Sequence, residues 1–116
     1  MAGTLVITTL SDGTNSTSAT NPILGSAKAW VNWNGSTAGI RASYNVSSIT
    51  KSSTGVYLVN FTNAFSDANY SSVATTSDLP LQQNATANTT TQASISSMNL
   101  AGTRVDSTYI SAVFNR

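Results

Sequence analysis

The sequence contains no cysteine and no histidine, and aspartate is its only acidic side chain. Without cysteine the chain cannot form a disulfide or a thiolate site, and without histidine it cannot form a Ser-His-Asp triad. General acid–base chemistry would depend on four aspartates that stand far apart in turn-like contexts, Asp12, Asp67, Asp78 and Asp106. We therefore expect no enzymatic activity, no catalytic residue and no cofactor.

Charge and long apolar runs are also scarce. Charged residues make up 8% of the 116 residues, and the net charge is +1. Nucleic-acid binding requires clustered lysine and arginine, and a transmembrane helix requires about 20 consecutive apolar residues; the sequence has neither. It also lacks a secretory signal and a basic amphipathic segment. We expect no nucleic acid or membrane as partner, and synthesis in a cytoplasm.

Small polar side chains take the place of charges. Serine, threonine and asparagine account for 49 of the 116 residues. Such a surface has little electrostatic self-repulsion, so we expect the protein to be part of an assembly and not a free monomer. One run of oxygen-bearing side chains, residues 12–15 (DGTN), lacks the further acids of a calcium loop, so we predict no metal site.

The most informative stretch is residues 27–35 (AKAWVNWNG), which holds both tryptophans and ends in Asn-Gly, a strong hairpin signal. Its alternation predicts a half-buried strand. One face would carry Ala29, Val31 and Trp33, and the other Lys28, Trp30 and Asn32.

Further strand signals recur every 10–20 residues, and no window shows the period of an amphipathic helix. The predicted strands cover residues 5–10, 40–49, 56–61, 70–75, 93–98 and 109–114. Residues 40–61 are interpreted as one hairpin, with Ile40, Ala42, Tyr44 and Val46 on one face and a bulge near Ile49. The fold class predicted is all-β, an antiparallel β-sandwich of about seven strands with no significant helix.

The remaining segments are predicted to be turns, loops or an extended arm. Pro22 favours an extended Asn21, residues 79–81 (LPL) should interrupt pairing, and residues 82–91 should form a polar loop. We expect two parts: a strand or arm with a polar linker over residues 1–26, and the β-sandwich module over residues 27–116. Residues 1–20 are either a mobile tail or an arm that adds a strand to a neighbouring subunit.

Aromatic side chains beside asparagine and serine can form a sugar site, but they more often fill a core or a subunit interface. We expect Trp33 in the core. The candidate residues for an interface or a glycan site are Trp30, Lys28, Asn32 and Tyr57.

The order of motifs resembles a module common in tailed bacteriophages, which is usually described as a tail-fibre domain or virion structural protein. The motifs that carry the resemblance are GSAKAWVNWNG at residues 25–35, IRASYNVSSI at 40–49, GVYLVNFT at 55–62, DANY at 67–70 and VDSTYISAVF at 105–114. Residues 11–17 (SDGTNST) resemble the segment that often precedes them.

The resemblance implies a structural protein of the virion, made in the host bacterial cytoplasm and assembled as a homotrimer. Such modules usually end a longer fibre, whereas this sequence begins with Met1 and has no shaft. We therefore expect either of two locations. One is the tail, and the other is the head, where a free-standing copy would be a decoration or cement protein in contact with the major capsid protein. The alternative is an adhesin that binds a host surface glycan. A polysaccharide depolymerase would need two aspartates about 5–10 Å apart.

Overall fold

A computed structural model of the chain describes residues 2–77 and 87–116. Nine strands and one short helix follow one another in this part of the chain. They are β1 (Thr9–Ser11), β2 (Ser16–Ser18), α1 (Thr20–Gly25), β3 (Ala27–Asn34), β4 (Gly39–Tyr44), β5 (Val46–Ser53), β6 (Val56–Phe61), β7 (Ser71–Thr76), β8 (Gln92–Ser96) and β9 (Ile110–Asn115).

The strands form three antiparallel sheets. A four-stranded sheet in the order β4-β3-β9-β7 and a three-stranded sheet in the order β5-β6-β8 enclose the apolar core, and β1 and β2 form a separate small hairpin. The prediction of an all-β, antiparallel, sandwich-like fold is confirmed. The six-residue helix α1 is shorter than the windows in which a helical period can be recognised.

Strand β3 has the two faces that its alternation predicts. Ala29, Val31 and Trp33 are buried, and Trp30, which lies between Ala29 and Val31, is exposed. Strand β3 lies between β4 and β9 in the sheet, so its inward side chains reach the middle of the core. The placement of Trp33 in the core is confirmed.

The core continues as a cluster of aromatic rings between the two sheets. Phe61 stacks on Phe65 with ring centroids 4.4 Å apart, and it meets Phe114 edge to face at 5.2 Å. Tyr70 meets Phe65 edge to face at 4.7 Å, and its hydroxyl donates to the Gln92 carbonyl at 2.8 Å. Burial raises the pKa of Tyr70 to about 12. These rings fix the loop between β6 and β7 against the core.

The predicted hairpin over residues 40–61 is wrong in its first part. Strand β4 pairs with β3, and only β5 and β6 form a hairpin, with register shifts that match the expected bulge. Asn45 adopts a left-handed conformation at φ 54°, and the chain crosses there from one sheet to the other. Val46 therefore points into the core, whereas Tyr44 points outward.

The first 25 residues also differ from the predictions. Of the predicted strand over residues 5–10, only Thr9 and Leu10 lie in a strand, as the first two residues of β1. Asn21 is helical and not extended, because Pro22 lies in the first turn of α1, where a missing backbone N–H costs no helical hydrogen bond. The expected turn at Asp12-Gly13 is present between β1 and β2.

One end of the sandwich is closed by the segment between β8 and β9. The Gly35 N–H donates to the Ser107 carbonyl at 2.9 Å, and the Ser97 N–H donates to the Gly55 carbonyl at 2.9 Å. Gly55 has φ +66°, and a Cβ there would lie 2.5 Å from the Ser97 carbonyl oxygen. The close approach of three backbone segments at this end therefore requires glycine at position 55.

The molecule is elongated. Its Cα radius of gyration is 16.6 Å, whereas a compact chain of this length would have about 13 Å. In the part of the chain that is described, no helix is long and apolar enough to cross a membrane. The predictions for residues 79–81 and 82–86 lie outside the described residues.

Candidate interaction surface

The outer face of the four-stranded sheet carries a row of large apolar side chains. Trp30 of β3 pairs with Tyr44 of β4 on one side and with Val113 of β9 on the other, and Val113 pairs with Val73 of β7. The four side chains are 40%, 59%, 39% and 62% exposed, in that order. We call these four residues the apolar row; with strands about 4.8 Å apart, it extends about 14 Å across the sheet.

The row next to it is polar. Asn32 of β3 pairs with Ser111 of β9, which pairs with Thr75 of β7. The Asn32 side-chain amide donates to Ser111 Oγ at 2.7 Å and to the Ile110 carbonyl at 3.3 Å. Asn32 is thus held in one orientation on the same face as Trp30, as the alternation predicts.

Lys28 lies at the start of β3, where the sheet meets α1. Its ammonium group donates to Ser26 Oγ at 3.0 Å and to the Ile23 carbonyl. These hydrogen bonds tie the end of α1 to the strand. The charge of Lys28 is therefore engaged locally, although its side chain also borders the groove beside Tyr44.

Tyr57 is not on the surface, and its prediction as an interface or glycan-binding residue is wrong. The side chain is 0% exposed, and its ring meets Trp33 edge to face with centroids 5.7 Å apart. Burial, together with its hydrogen bond to the charged Asp106, raises the pKa of Tyr57 well above its usual value. The apolar residues on both faces of β6 were the signal that this strand has no solvent-facing side.

Asp106 holds the closed end of the sandwich together, a role that its position in the sequence does not indicate. Its carboxylate accepts hydrogen bonds from the Lys51 ammonium at 2.6 Å, the Gly55 N–H at 2.9 Å and the Tyr57 hydroxyl at 2.9 Å. Burial raises the pKa of Asp106, but the three donors outweigh burial and hold the pKa below its usual range. The carboxylate is saturated by donors that maintain the fold.

The other described aspartates are also engaged in structure. Asp67 pairs with Arg116 at 2.5 Å, and this hydrogen-bonded pairing lowers the pKa of Asp67. Asp12 accepts backbone hydrogen bonds from Asn15 at 2.7 Å and Thr14 at 2.9 Å, which lower its pKa and form an Asx-type turn. Asp67 also accepts a hydrogen bond from the Asn69 N–H at 2.7 Å, so both aspartates cap turns, as their turn-like sequence contexts indicate.

The two aspartates in the described part of the sandwich lie at its opposite ends. Asp67 is held by Arg116, which follows the Asn115 that pairs with Ala27 at the start of β3. Asp106 precedes Ser107, which contacts Gly35 just after the end of β3. The eight residues of β3 span about 25 Å between these two ends. This distance is well beyond the separation of a carboxylate pair that acts on a glycosidic bond. Asp78 lies outside the described residues, within which no group of three or more metal-ligating side chains is found.

A shallow groove of about 530 Å³ lies beside the apolar row, at the end of the sandwich opposite Asp106. Its lining includes Tyr44, Lys28, Asn45, Asn63 and Arg116. The Asn45 amide donates to the Lys28 carbonyl at 3.1 Å, and its oxygen accepts from the Asn63 N–H at 2.8 Å. Much of the hydrogen-bonding capacity of Asn45 is therefore used within the protein, and the exposed ring of Tyr44 forms an apolar wall of the groove.

Comparison with known proteins identifies no relative. No protein-family model, no curated protein and no solved structure matches the chain.

Proposed function

We propose that this protein is a non-enzymatic structural component on the surface of a tailed-phage virion. It acts through contacts with copies of itself, as a homotrimer, and with other virion proteins of the tail or the head. The observation that carries the proposal is the apolar row, because it presents two aromatic rings and two valines from four adjacent strands to solvent.

The surroundings of the row support a protein–protein contact. Interfaces are enriched in aromatic side chains and depleted of charge at their centres, and the flanking row of Asn32, Ser111 and Thr75 is polar but uncharged. A tryptophan at the centre of such a patch is the residue type that most often dominates binding energy. The resemblance of the motifs to phage fibre modules supplies the biological setting.

The first experiment is immunogold labelling of intact particles from a lysate of the source phage and host. An antiserum raised against the purified protein should label particles, and the same serum pre-absorbed with that protein is the control. Label at the tail end would support a fibre position, and label spread over the head would support a decoration or cement role. Particles without specific label would contradict the proposal.

A glycan-binding adhesin is the second candidate. It is favoured by the groove, where the ring of Tyr44 lies beside amide and cationic groups in the combination of an apolar floor and hydrogen-bonding walls that sugars require. Since Tyr57 is buried, the exposed rings near the groove are Tyr44, which lines it, and Trp30, which pairs with Tyr44 across the sheet.

The adhesin proposal is tested by binding of host lipopolysaccharide to the assembled protein. Binding should fall in a Tyr44→Ala variant and persist in a matched Tyr109→Ala variant. Tyr109 is equally exposed, but Arg41 stacks on its ring at 4.1 Å, outside the lining of the groove. No binding by a protein whose oligomer is intact would remove this candidate.

A further inference from the structure

Residues 2–8, which we call the arm segment, belong to no helix and no sheet. Leu5 and Val6 are 82% and 86% exposed, and Ile7 is 41% exposed. Among the described contacts, the arm segment receives one backbone hydrogen bond, from the Ala19 N–H to the Thr8 carbonyl at 2.9 Å. Three consecutive large apolar side chains are therefore left in solvent on a backbone that is also largely unpaired.

The composition of the arm segment is that of a strand. Residues 2–8 (AGTLVIT) contain no charge and no proline, and Val6, Ile7 and the threonines are β-branched. Such residues favour a pleated, half-buried position, which needs a partner strand. Lysine, proline and inward charges protect exposed edges against pairing, and the arm segment has none of them.

The sandwich offers end strands, and they differ in availability. Strands β4 and β7 end the four-stranded sheet, and β5 and β8 end the three-stranded sheet. Ala74 and Thr76 of β7, and Ser94 and Ser96 of β8, already have further interaction partners. The outward positions of β5 are filled by serine, threonine and Lys51, which do not suit an apolar strand.

Strand β4 suits the arm segment best. It is six residues long, close to the length of the arm segment, and Tyr44 continues the apolar row up to this edge. Its one charge, Arg41, is directed away from the edge: the guanidinium donates to the Trp33 carbonyl at 2.7 Å and to the Thr108 carbonyl at 2.8 Å. Within the described residues, the arm segment and the outer edge of β4 therefore have similar lengths and each lack a partner strand.

We propose that the arm segment of one copy adds as an antiparallel or parallel strand to the free edge of β4 in a second copy of this chain. This inference deepens the proposed function, on which it rests for its setting, by identifying how the copies are joined. Strand addition would supply backbone hydrogen bonds to both elements and would place an arm side chain next to Tyr44, so that the apolar row extends over five strands.

The geometry of the exchange determines the type of assembly. Each copy offers one arm segment and one β4 edge, so the contact joins two different surfaces and propagates from copy to copy. Such a contact closes into a ring when the rotation between copies permits. A homotrimer is one ring of this kind.

The absence of cysteine makes a cross-linking test direct. Two full-length variants are mixed and oxidised, one with Val6→Cys or Ile7→Cys and the other with Ala42→Cys, which lies on the exposed outer face of β4. Directly opposite strand residues have Cβ atoms within disulfide reach. Because side chains alternate along a strand, one of the two arm positions should cross-link and its neighbour should not.

The matched control replaces Ala42→Cys by Thr75→Cys, an exposed position on the same sheet face but on β7 at the opposite edge. Specific pairing should give at least about tenfold more mixed disulfide with Ala42→Cys than with Thr75→Cys, because the contact raises the effective concentration. Equal yields would overturn the proposal. A monomeric disulfide in the double variant Val6→Cys/Ala42→Cys, without mixed dimers, would also overturn it because the arm would close its own edge.

A second measurement does not depend on cysteine. In sedimentation experiments, the oligomer of a Leu5→Asp/Val6→Asp variant should have a dissociation constant about a hundredfold higher than that of the natural sequence. The reason is that the burial of two large apolar side chains is lost. Circular dichroism should be unchanged, since both residues lie outside the core. An unchanged oligomer would overturn the arm exchange while leaving virion labelling, and therefore the proposed function, intact.

Discussion

Trp33 and Trp30 lie three residues apart on the same strand and have opposite environments. Trp33 is 0% exposed at the centre of the core, whereas Trp30 is 40% exposed at the centre of the apolar row. The two residues are of the same type, and they differ in the face of the strand that they occupy, because successive side chains point to opposite faces. A single strand thus joins a face that holds the sandwich together to a face that is free to bind.

The difference between the faces is also one of hydrogen bonding and charge. Behind Trp33 the core is tied to the closed end through Tyr57 and the donors around Asp106. Around Trp30 the cross-strand neighbours Tyr44 and Val113 are uncharged, and Asn32 is held by Ser111. Perturbing the inner face should therefore change the free energy of unfolding, and perturbing the outer face should change association.

The largest effect is expected for Trp33→Ala. Removing a fully buried indole leaves a cavity and should lower the free energy of unfolding by about 3–5 kcal/mol. Urea denaturation followed by circular dichroism measures it, and Trp33→Phe should be milder because an aromatic ring still faces Tyr57. Within the described contacts the indole N–H has no hydrogen-bond partner, so packing should account for the loss. A change below about 1 kcal/mol in Trp33→Ala would contradict the assignment of this face as the core.

A smaller loss is expected at the Asp106 carboxylate. Asp106→Ala leaves the Gly55 N–H, the Tyr57 hydroxyl and Lys51 without their acceptor and should destabilise by roughly 1–3 kcal/mol. Tyr57→Phe removes only the hydrogen bond from the tyrosine hydroxyl and should lower the free energy of unfolding by less than Asp106→Ala does. If Asp67→Ala, which breaks the exposed pair with Arg116, were as destabilising as Asp106→Ala, the special role of the closed end would be refuted.

The same carboxylate should make stability depend on pH. Because the pKa of Asp106 is lower in the folded than in the unfolded protein, its contribution is complete above the unfolded value near 4 and is lost as the pH falls through that value toward the folded one. The urea midpoint should therefore drop between pH 6 and pH 3, and less so in Asp106→Asn. Asp12→Asn, in the separate β1–β2 hairpin, is the control that should follow the natural sequence.

The smallest change in unfolding free energy is expected for Trp30→Ala, within about 0.5 kcal/mol for the isolated chain. Association should nevertheless weaken, since the central aromatic side chain of the apolar row is lost. Sedimentation velocity and native mass spectrometry measure this, with Thr75→Ala on the neighbouring polar row as the matched control. A Trp30→Ala protein with unchanged native mass and dissociation constant would count against the row as an interface.

Local pattern predicted the parts of the fold that depend on one strand at a time. The alternation in residues 27–35 placed Trp33 inside and Trp30 outside, and the apolar run at 56–61 predicted a strand. The prediction for Tyr57 failed because its aromatic type was given more weight than the strand it belongs to. Apolar residues occupy both faces of β6, and this pattern by itself places Tyr57 in the core.

Features that join distant segments could not be predicted from local pattern. The left-handed Asn45 redirects the chain between sheets, and nothing in the alternation of residues 40–49 indicates it. The pairing of β3 with β9 brings together residues about 80 positions apart. Asp106 is 49 residues from Tyr57 and 51 from Gly55, so its network exists only once the sandwich has closed.

The turn after β3 has a consequence for how the protein ages. An Asn-Gly pair normally deamidates when the glycine nitrogen attacks the asparagine side chain to form a succinimide. Here the Gly35 N–H donates to the Ser107 carbonyl, and Asn34 Oδ1 accepts from the Ser36 N–H at 2.9 Å. The glycine nitrogen is thus held by the closed end and the asparagine side chain by its own turn, and we expect Asn34 to persist in the native protein and to convert to aspartate or isoaspartate only where that end has opened. Peptide mapping of aged samples would then detect a mass increase of about one dalton at Asn34 in those chains whose closed end has opened.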